Sequence, residues 1–227
     1  MENSEFLTTP EWNNNINQSY YELYDLLVQK FGDDYYVAPP LTIQTNGVSQ
    51  AYPLPDGTNY SGAPAFYKLL GVDLQLGPNA DSFVTIRPFM FADRNRYAVP
   101  NFQSFYGVTN LRYRLNGGNL LFTPIPTANQ NVRIWYVPRL TLLVDDTDVA
   151  DGVSGWDEYI IVDAAIKALQ KEESDVSVLL AQKQALIARI EAAGENRDAG
   201  APQKVSDTQS ADFWWPNGAS GNGQGEF

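Results

Sequence analysis

Apolar residues near the start of the chain recur at Ile16, Tyr20, Leu23, Leu27 and Phe31. Spacings of four, three, four and four line one side of a helix. Thr8 or Thr9, followed by Pro10, supplies the start signal, and Gly32 the stop. From 33 to about 145 the pattern changes. Prolines from Pro39 to Pro138 interrupt every would-be helix, and aromatic and β-branched residues fill the intervals. Strands are expected at Leu41–Thr45 and Phe83–Phe89. Asn116-Gly117-Gly118 tolerates positive φ, so Asn110–Leu115 and Asn119–Thr123 should form a hairpin. Leu111, Tyr113 and Leu115 then point one way, and Arg112 and Arg114 the other. Val132–Pro138 adds a third strand, with Val132, Ile134 and Tyr136 on one face, to give a small antiparallel sheet with one buried side.

Helical spacing returns after Ser154, where Ser154-Gly-Trp-Asp157 fits a capping box. Ile160, Ile161, Ala164, Ala165, Ala168 and Leu169 form the inner face of one helix. Ser174-Asp175 can cap a second, whose stripe is Val176, Leu179, Leu180, Leu186, Ile187 and Ile190, with Gly194 as its stop. No Gly or Pro separates 156 from 193, so one continuous helix rivals the hairpin. Residues 198–227 lose all periodicity and hold five Gly and two Pro, the composition of an extended arm. Such an arm spans roughly 30 Å as a coil and up to ~100 Å extended.

The pattern therefore predicts an α+β chain: a helical bundle made of an N-terminal helix (1–32) and a C-terminal helical hairpin, with an inserted small antiparallel β domain (33–145). An acidic connector and the hairpin occupy 146–197, and an extended C-terminal arm occupies 198–227.

Composition narrows the chemistry. The 227-residue chain has no His and no Cys. That removes the usual general base, thiolate nucleophiles, disulfides and most metal sites, so neither cofactor nor metal is expected. No apolar run approaches the ~20 residues that cross a bilayer, and no membrane partner is expected. The net charge of −12 is unevenly spread. Residues 82–140 hold Arg87, Arg94, Arg96, Arg112, Arg114, Arg133 and Arg139 against a single Asp93. Asp145, Asp146, Asp148, Asp151, Asp157 and Glu158 follow with no cation between them. Arg94, Arg96, Arg112 and Arg114 in one copy could meet Asp145, Asp146, Asp148 and Asp151 in the next, a head-to-tail contact. The alternative is two solvated faces of one monomer. The aromatic company of the arginines suits nucleic acid, but the acidic chain as a whole opposes a polyanion.

The arm carries Phe213, Trp214, Trp215, Pro216 and Phe227. Indoles on a loose arm suit insertion into a partner, where Trp is enriched among the anchoring residues. The alternative is a tail folded back on its own domain. Asp145–Gly152 has the composition of a calcium loop but not its spacing.

Four segments together resemble tailed-bacteriophage head-to-tail adaptor (connector, or head-completion) proteins. Leu111–Pro126 (Leu-Arg-Tyr-Arg-Leu-Asn-Gly-Gly-Asn-Leu-Leu-Phe-Thr-Pro-Ile-Pro) and Val132–Arg139 are similar to their sheet segment. Trp156–Asp175 and Ile187–Arg197 are similar to the helix pair that follows. The likeness covers roughly 105–200, and residues 33–100 read as an unmatched insertion. It implies a structural virion protein of the neck, assembled in the host cytoplasm, that forms a ring beneath the portal protein, dodecameric in that family. Such a ring extends the DNA channel, lets genomic DNA pass without specific binding, and docks the downstream tail or neck protein. C-terminal arms of such proteins reach into the portal or an adjacent subunit. Other readings are a tail terminator or minor capsid component, or a carboxylate-dependent glycan hydrolase, for which the sheet region offers Asp56, Asp73, Asp81 and Asp93, in no recognisable pattern.

Overall fold

The computed structural model describes residues 7–31, 36–77, 82–96, 111–145, 147–150 and 156–195. The first helix, α1 (Thr9–Lys30), begins where expected. The Thr8 amide and hydroxyl donate to the Glu11 carboxylate at 2.9 and 3.0 Å, and Pro10 sits in the first turn. Tyr20, Leu23, Tyr24, Leu27 and Val28 form its buried face. The expected stop, Gly32, lies outside the described residues. The Phe31 amide still bonds the Leu27 carbonyl at 2.8 Å.

Eight strands follow among the described residues: β1 (Leu41–Asn46), β2 (Ala51–Pro53), β3 (Phe66–Gln75), β4 (Phe83–Thr85), β5 (Arg87–Pro88), β6 (Arg112–Asn116), β7 (Asn119–Thr123) and β8 (Ala128–Pro138). The hairpin is present, with Asn116 opposite Asn119 and Gly117 at φ 57°. Its turn needs a left-handed residue, which Gly supplies without steric cost. Three expectations are corrected. There are two four-stranded sheets, ordered β1-β8-β3-β4 and β2-β7-β6-β5, not one. β8 does not extend the hairpin but sits in the other sheet between β1 and β3. The short β5 runs parallel to β6, so the second sheet is mixed.

One apolar core is shared by both sheets. Ile43, Val72, Val132, Ile134 and Tyr136 come from the first sheet, and Tyr52, Tyr113, Leu120 and Phe122 from the second. Alternation explains it: Val132, Ile134 and Tyr136 all face inward and are fully buried. On β6, Tyr113 faces the core as expected, whereas Leu115 is exposed near the turn.

Two further helices follow among the described residues, α2 (Asp157–Lys171) and α3 (Ser177–Glu195). A continuous helix is excluded by the break between them. Glu173 adopts φ 56°, the Glu173 amide bonds the Gln170 carbonyl, and the Ser174 amide reaches the Leu169 carbonyl at 3.0 Å. That six-to-one and five-to-two pairing is a Schellman stop with Glu in the usual glycine place. Asp175 then caps α3, its carboxylate accepting from the Ser177 amide at 2.9 Å. The other cap is corrected. α2 starts at Asp157 with Trp156 as N-cap, so Asp157 opens the first turn instead of closing a box, and Ser154 lies outside the described residues. The inner face of α2 is also displaced: Ile161 is exposed, while Tyr159, Val162, Asp163 and Ile166 are buried with Ile160 and Ala164. On α3, Leu186 and Ile190 are buried, but Leu180 faces solvent.

The three helices share a second apolar cluster with Val137 and Leu140. β8 therefore serves two cores, sending Val132, Ile134 and Tyr136 to one and Val137 to the other. Where helices and sheet meet, the Tyr24 hydroxyl donates to the Pro138 carbonyl at 2.6 Å, and its ring lies 4.9 Å from Tyr36 and 5.7 Å from Tyr67. The Tyr67 hydroxyl donates to Asp25, which pushes its pKa up to about 12.

Candidate functional site

Two surfaces stand out among the described residues, one cationic and aromatic, the other acidic and apolar. The first is built on the outer face of the β6 sheet. Tyr113 faces inward on β6, so Arg112 and Arg114 face out on either side of it. The chain entering this sheet is tied down by β5 and by the Phe89 amide, which bonds the Tyr113 carbonyl at 3.0 Å. Phe89 is buried, and the next residues, Met90 and Phe91, emerge into solvent at 73% and 57% exposure. Arg94 lies 4.5 Å and Arg114 5.4 Å from the centre of the Phe91 ring. Arg94 also donates to the Phe91 carbonyl at 3.1 Å. Two of the expected arginines thus gather on one exposed ring, held by cation–π attraction. Arg112 sits opposite Arg87 on the neighbouring strand, and the Arg96 amide closes a turn on the Asp93 carbonyl.

The second surface is the connector after β8. Leu140 enters the helical core, and Asn17 of α1 grips the next turn at both ends: its Nδ2 donates to the Leu143 carbonyl at 2.8 Å, and its Oδ1 accepts from the Leu143 amide at 2.9 Å. The loop beyond is pinned by Asp148, whose carboxylate accepts from the Val144 and Asp145 amides at 2.7 and 2.9 Å. Those amide bonds, the Asp145 one foremost, hold its pKa below the ordinary carboxylate value. Asp148 is therefore a loop cap as well as a surface charge. Leu142, Val144 and Val149 stand exposed around it. Asp146 and Asp151 lie outside the described residues, as do Phe213, Trp214, Trp215, Pro216 and Phe227.

Isolated exposed apolar side chains are ordinary, but here they coincide with the two charged clusters. The charge asymmetry was visible in the sequence. The exposure of Met90, Phe91, Val144 and Val149 was not, because apolar residues in strand-rich texture read as core.

A third constellation escaped sequence reading altogether. Asp163 on α2 has a nearly buried side chain flanked by two ammonium groups, Lys183 Nζ at 2.6 Å from Oδ1 and Lys167 Nζ at 2.7 Å from Oδ2. Both lysines also reach Glu22 of α1, at 2.9 and 3.1 Å, and Lys167 donates to Ser19 Oγ at 3.1 Å. The result is a closed ring of alternating charges that ties all three helices. Burial works against the charged form of Asp163, but the hydrogen bonds from Lys167 and Lys183 outweigh it and its pKa is lowered. Burial likewise opposes the charge on Lys183, and its bonds to Asp163 and Glu22 raise its pKa regardless.

Carboxylates of the sheet region have structural partners. Asp56 caps its own turn through the Thr58 and Asn59 amides, and Asp73 accepts from Trp135 Nε1 at 2.6 Å and Thr85 Oγ1 at 2.7 Å. Asp93 belongs to the short 3-10 turn at Phe91–Asp93, and Asp81 lies outside the described residues. No facing pair of buried carboxylates occurs among the described residues of this region.

A family model described as SU10 adaptor protein matches residues 4–206. That span takes in 33–100, the stretch that the resemblance from sequence left unmatched. No curated protein matches the chain.

Proposed function

The chain belongs to the SU10 adaptor protein family, and from that premise we propose that it is a structural adaptor of a bacteriophage virion, placed at the head-to-tail interface. In this reading, copies close into a ring of twelve beneath the portal protein, extend the DNA channel, and present a docking surface to the next tail or neck component. Genomic DNA passes through the lumen without specific binding, and assembly takes place in the host cytoplasm. The protein works by binding energy alone, as a structural part and not an enzyme.

The observation that carries this reading is the family match across most of the chain. The geometry supports it in two ways. The Met90–Phe91–Arg94–Arg114 face and the Leu142–Val149 loop are complementary in charge and each holds exposed apolar side chains. That is the pairing needed for copy-to-copy contact around a ring, with Arg96, Arg112 and Asp145 beside it and Asp146 and Asp151 as further candidates from the sequence. The helices, bundled around one apolar cluster and cross-braced by the Asp163 charge ring, supply a rigid body from which the arm leaves. The arm, 198–227, carries Phe213, Trp214, Trp215, Pro216 and Phe227 to the portal.

Co-sedimentation with the cognate portal tests this directly. The full chain is expected to bind, and Trp214→Ala/Trp215→Ala is expected to weaken binding at least about tenfold, the loss of a hot-spot pair. Full-strength binding by the double variant would remove the arm from the interface.

A further inference from the structure

A pocket of about 410 Å³ opens where α1 meets the ends of the β1–β8 sheet. Its walls include Tyr24, Tyr36, Pro39, Pro64, Pro138 and Arg139. Pro39, Pro64 and Arg139 are exposed, so the pocket is open to solvent. Phenol and pyrrolidine rings with a guanidinium at an open rim are the chemistry that receives a flat aromatic group. The volume lies within the range of about 300–1,000 Å³ that holds small organic groups. Open to solvent and lined by both rings and polar groups, it lacks an occupant among the described residues.

The chain itself carries such groups and leaves the fold close by. Gly194 of α3 packs on the Lys30 carbonyl, and Lys30 is six residues beyond Tyr24 on α1, about 9 Å along its axis. The stretch from Glu195 to Phe213 is rich in Ala, Asp, Gln and Ser, and as a coil spans roughly 25 Å. That exceeds the distance required. A tether of this length holds its far end at an effective concentration on the order of millimolar, well above any micromolar second copy.

We propose that in the unassembled chain Phe213–Pro216 of the arm occupies this pocket in its own fold. The contact shields two indoles from water until a partner takes them. Their release to the portal rests on the function proposed above; the occupancy itself does not.

Because the chain has no native cysteine, engineered pairs report the contact cleanly. In the full chain at micromolar concentration, Thr141→Cys on the pocket wall with Asp212→Cys beside the aromatic segment should oxidise to an intramolecular disulfide. The rate should exceed by at least about tenfold that of a control pairing Asp212→Cys with Val48→Cys. Val48 follows the Asn46 end of β1, opposite Ala128, at the far end of β8 from the pocket. Adding Trp214→Ala/Trp215→Ala should return the pocket pair to the control rate. Equal rates for the two pairs would overturn the proposal, as would a rate indifferent to the tryptophans. A mainly dimeric disulfide product would also overturn it, placing the arm on a second copy. Portal binding is read separately, so failure of one leaves the other standing.

Discussion

Gly194 of α3 meets the backbone of Lys30 at the end of α1: a Cβ added there would stand 2.5 Å from the Lys30 carbonyl oxygen and 3.0 Å from its carbon. The obstacle is backbone, which cannot rotate away as a side chain tip can. From sequence Gly194 reads as a helix stop. In the structure it lies inside α3, one residue before the end, and its role is close approach.

Gly194→Ala sets two effects against each other. Alanine favours a helix over glycine by about 1 kcal/mol. Overpacking against an immovable neighbour costs about 1–3 kcal/mol. The clash at 2.5 Å should win, with a net loss of about 1–2 kcal/mol in urea unfolding. Gly118→Ala, where nothing lies within 4 Å, should stay within about 0.5 kcal/mol.

Asp163→Asn should cost more. It leaves Lys167 and Lys183 facing a neutral amide in a site that is nearly closed on the Asp163 side and about one-fifth exposed at each lysine. Removing one partner of a buried pair costs about 3–5 kcal/mol, and the partial exposure reduces this to about 2–3 kcal/mol. Glu22→Gln, at the half-exposed corner of the same ring, should cost under about 1 kcal/mol.

The same group sets a pH dependence. The folded-state pKa of Asp163 is depressed, so its contribution is fully present above the unfolded value near 3.9 and is lost as pH falls through the folded one. Glu11, held down to about 2 first by the Lys171 hydrogen bond and then by Thr8, acts in the same direction. Stability should be flat from pH 7 to about 5 and fall below about pH 4. Asp163→Asn should flatten that acid limb, a change readable in denaturation midpoints between pH 2 and 5. An unchanged limb would assign the acid sensitivity elsewhere.

Asn17→Ala removes both hydrogen bonds to Leu143 and strands a half-buried amide and carbonyl. A loss of about 1–3 kcal/mol is expected, with hydrogen exchange at the Leu143 amide rising well ahead of exchange in the β8 core. This would show that α1 sets the position of the acidic loop.

Charge reversal tests the copy-to-copy contact. Arg94→Glu with Arg114→Glu should leave the fold intact, because both side chains lie on an outer face, yet abolish ring closure in sedimentation velocity. Asp145→Arg in the partner copy should restore part of it, and raised salt should weaken the native contact. Asp148 is unsuitable for the rescue because its carboxylate caps the loop.

What the sequence disclosed follows from how local each signal is. α1 was legible because Thr8, Pro10 and Glu11 mark its start and its stripe has one period. The β6–β7 hairpin was legible because two glycines follow Asn116. β3 was not, because irregular register between Phe66 and Lys68, and again between Leu69 and Gly71, breaks its alternation. Leu69 and its neighbour Leu70 then serve different cores. The place of β8 depends on partners about 60 and 90 positions away, Val72 and Ile43, which no local pattern encodes. The α2 stop was hidden because Glu173 holds a left-handed conformation usually marked by glycine. The Asp163 ring was hidden because a lone Asp among Ile, Val and Ala shows no partner until three helices converge.

Electron microscopy of the purified chain mixed with its cognate portal tests the adaptor role most directly. A closed ring stacked coaxially on the portal, its central channel continuous with the portal channel, is the expected image. Particles in which the chain stays monomeric beside a bare portal, or decorates it away from the axis, would contradict that role.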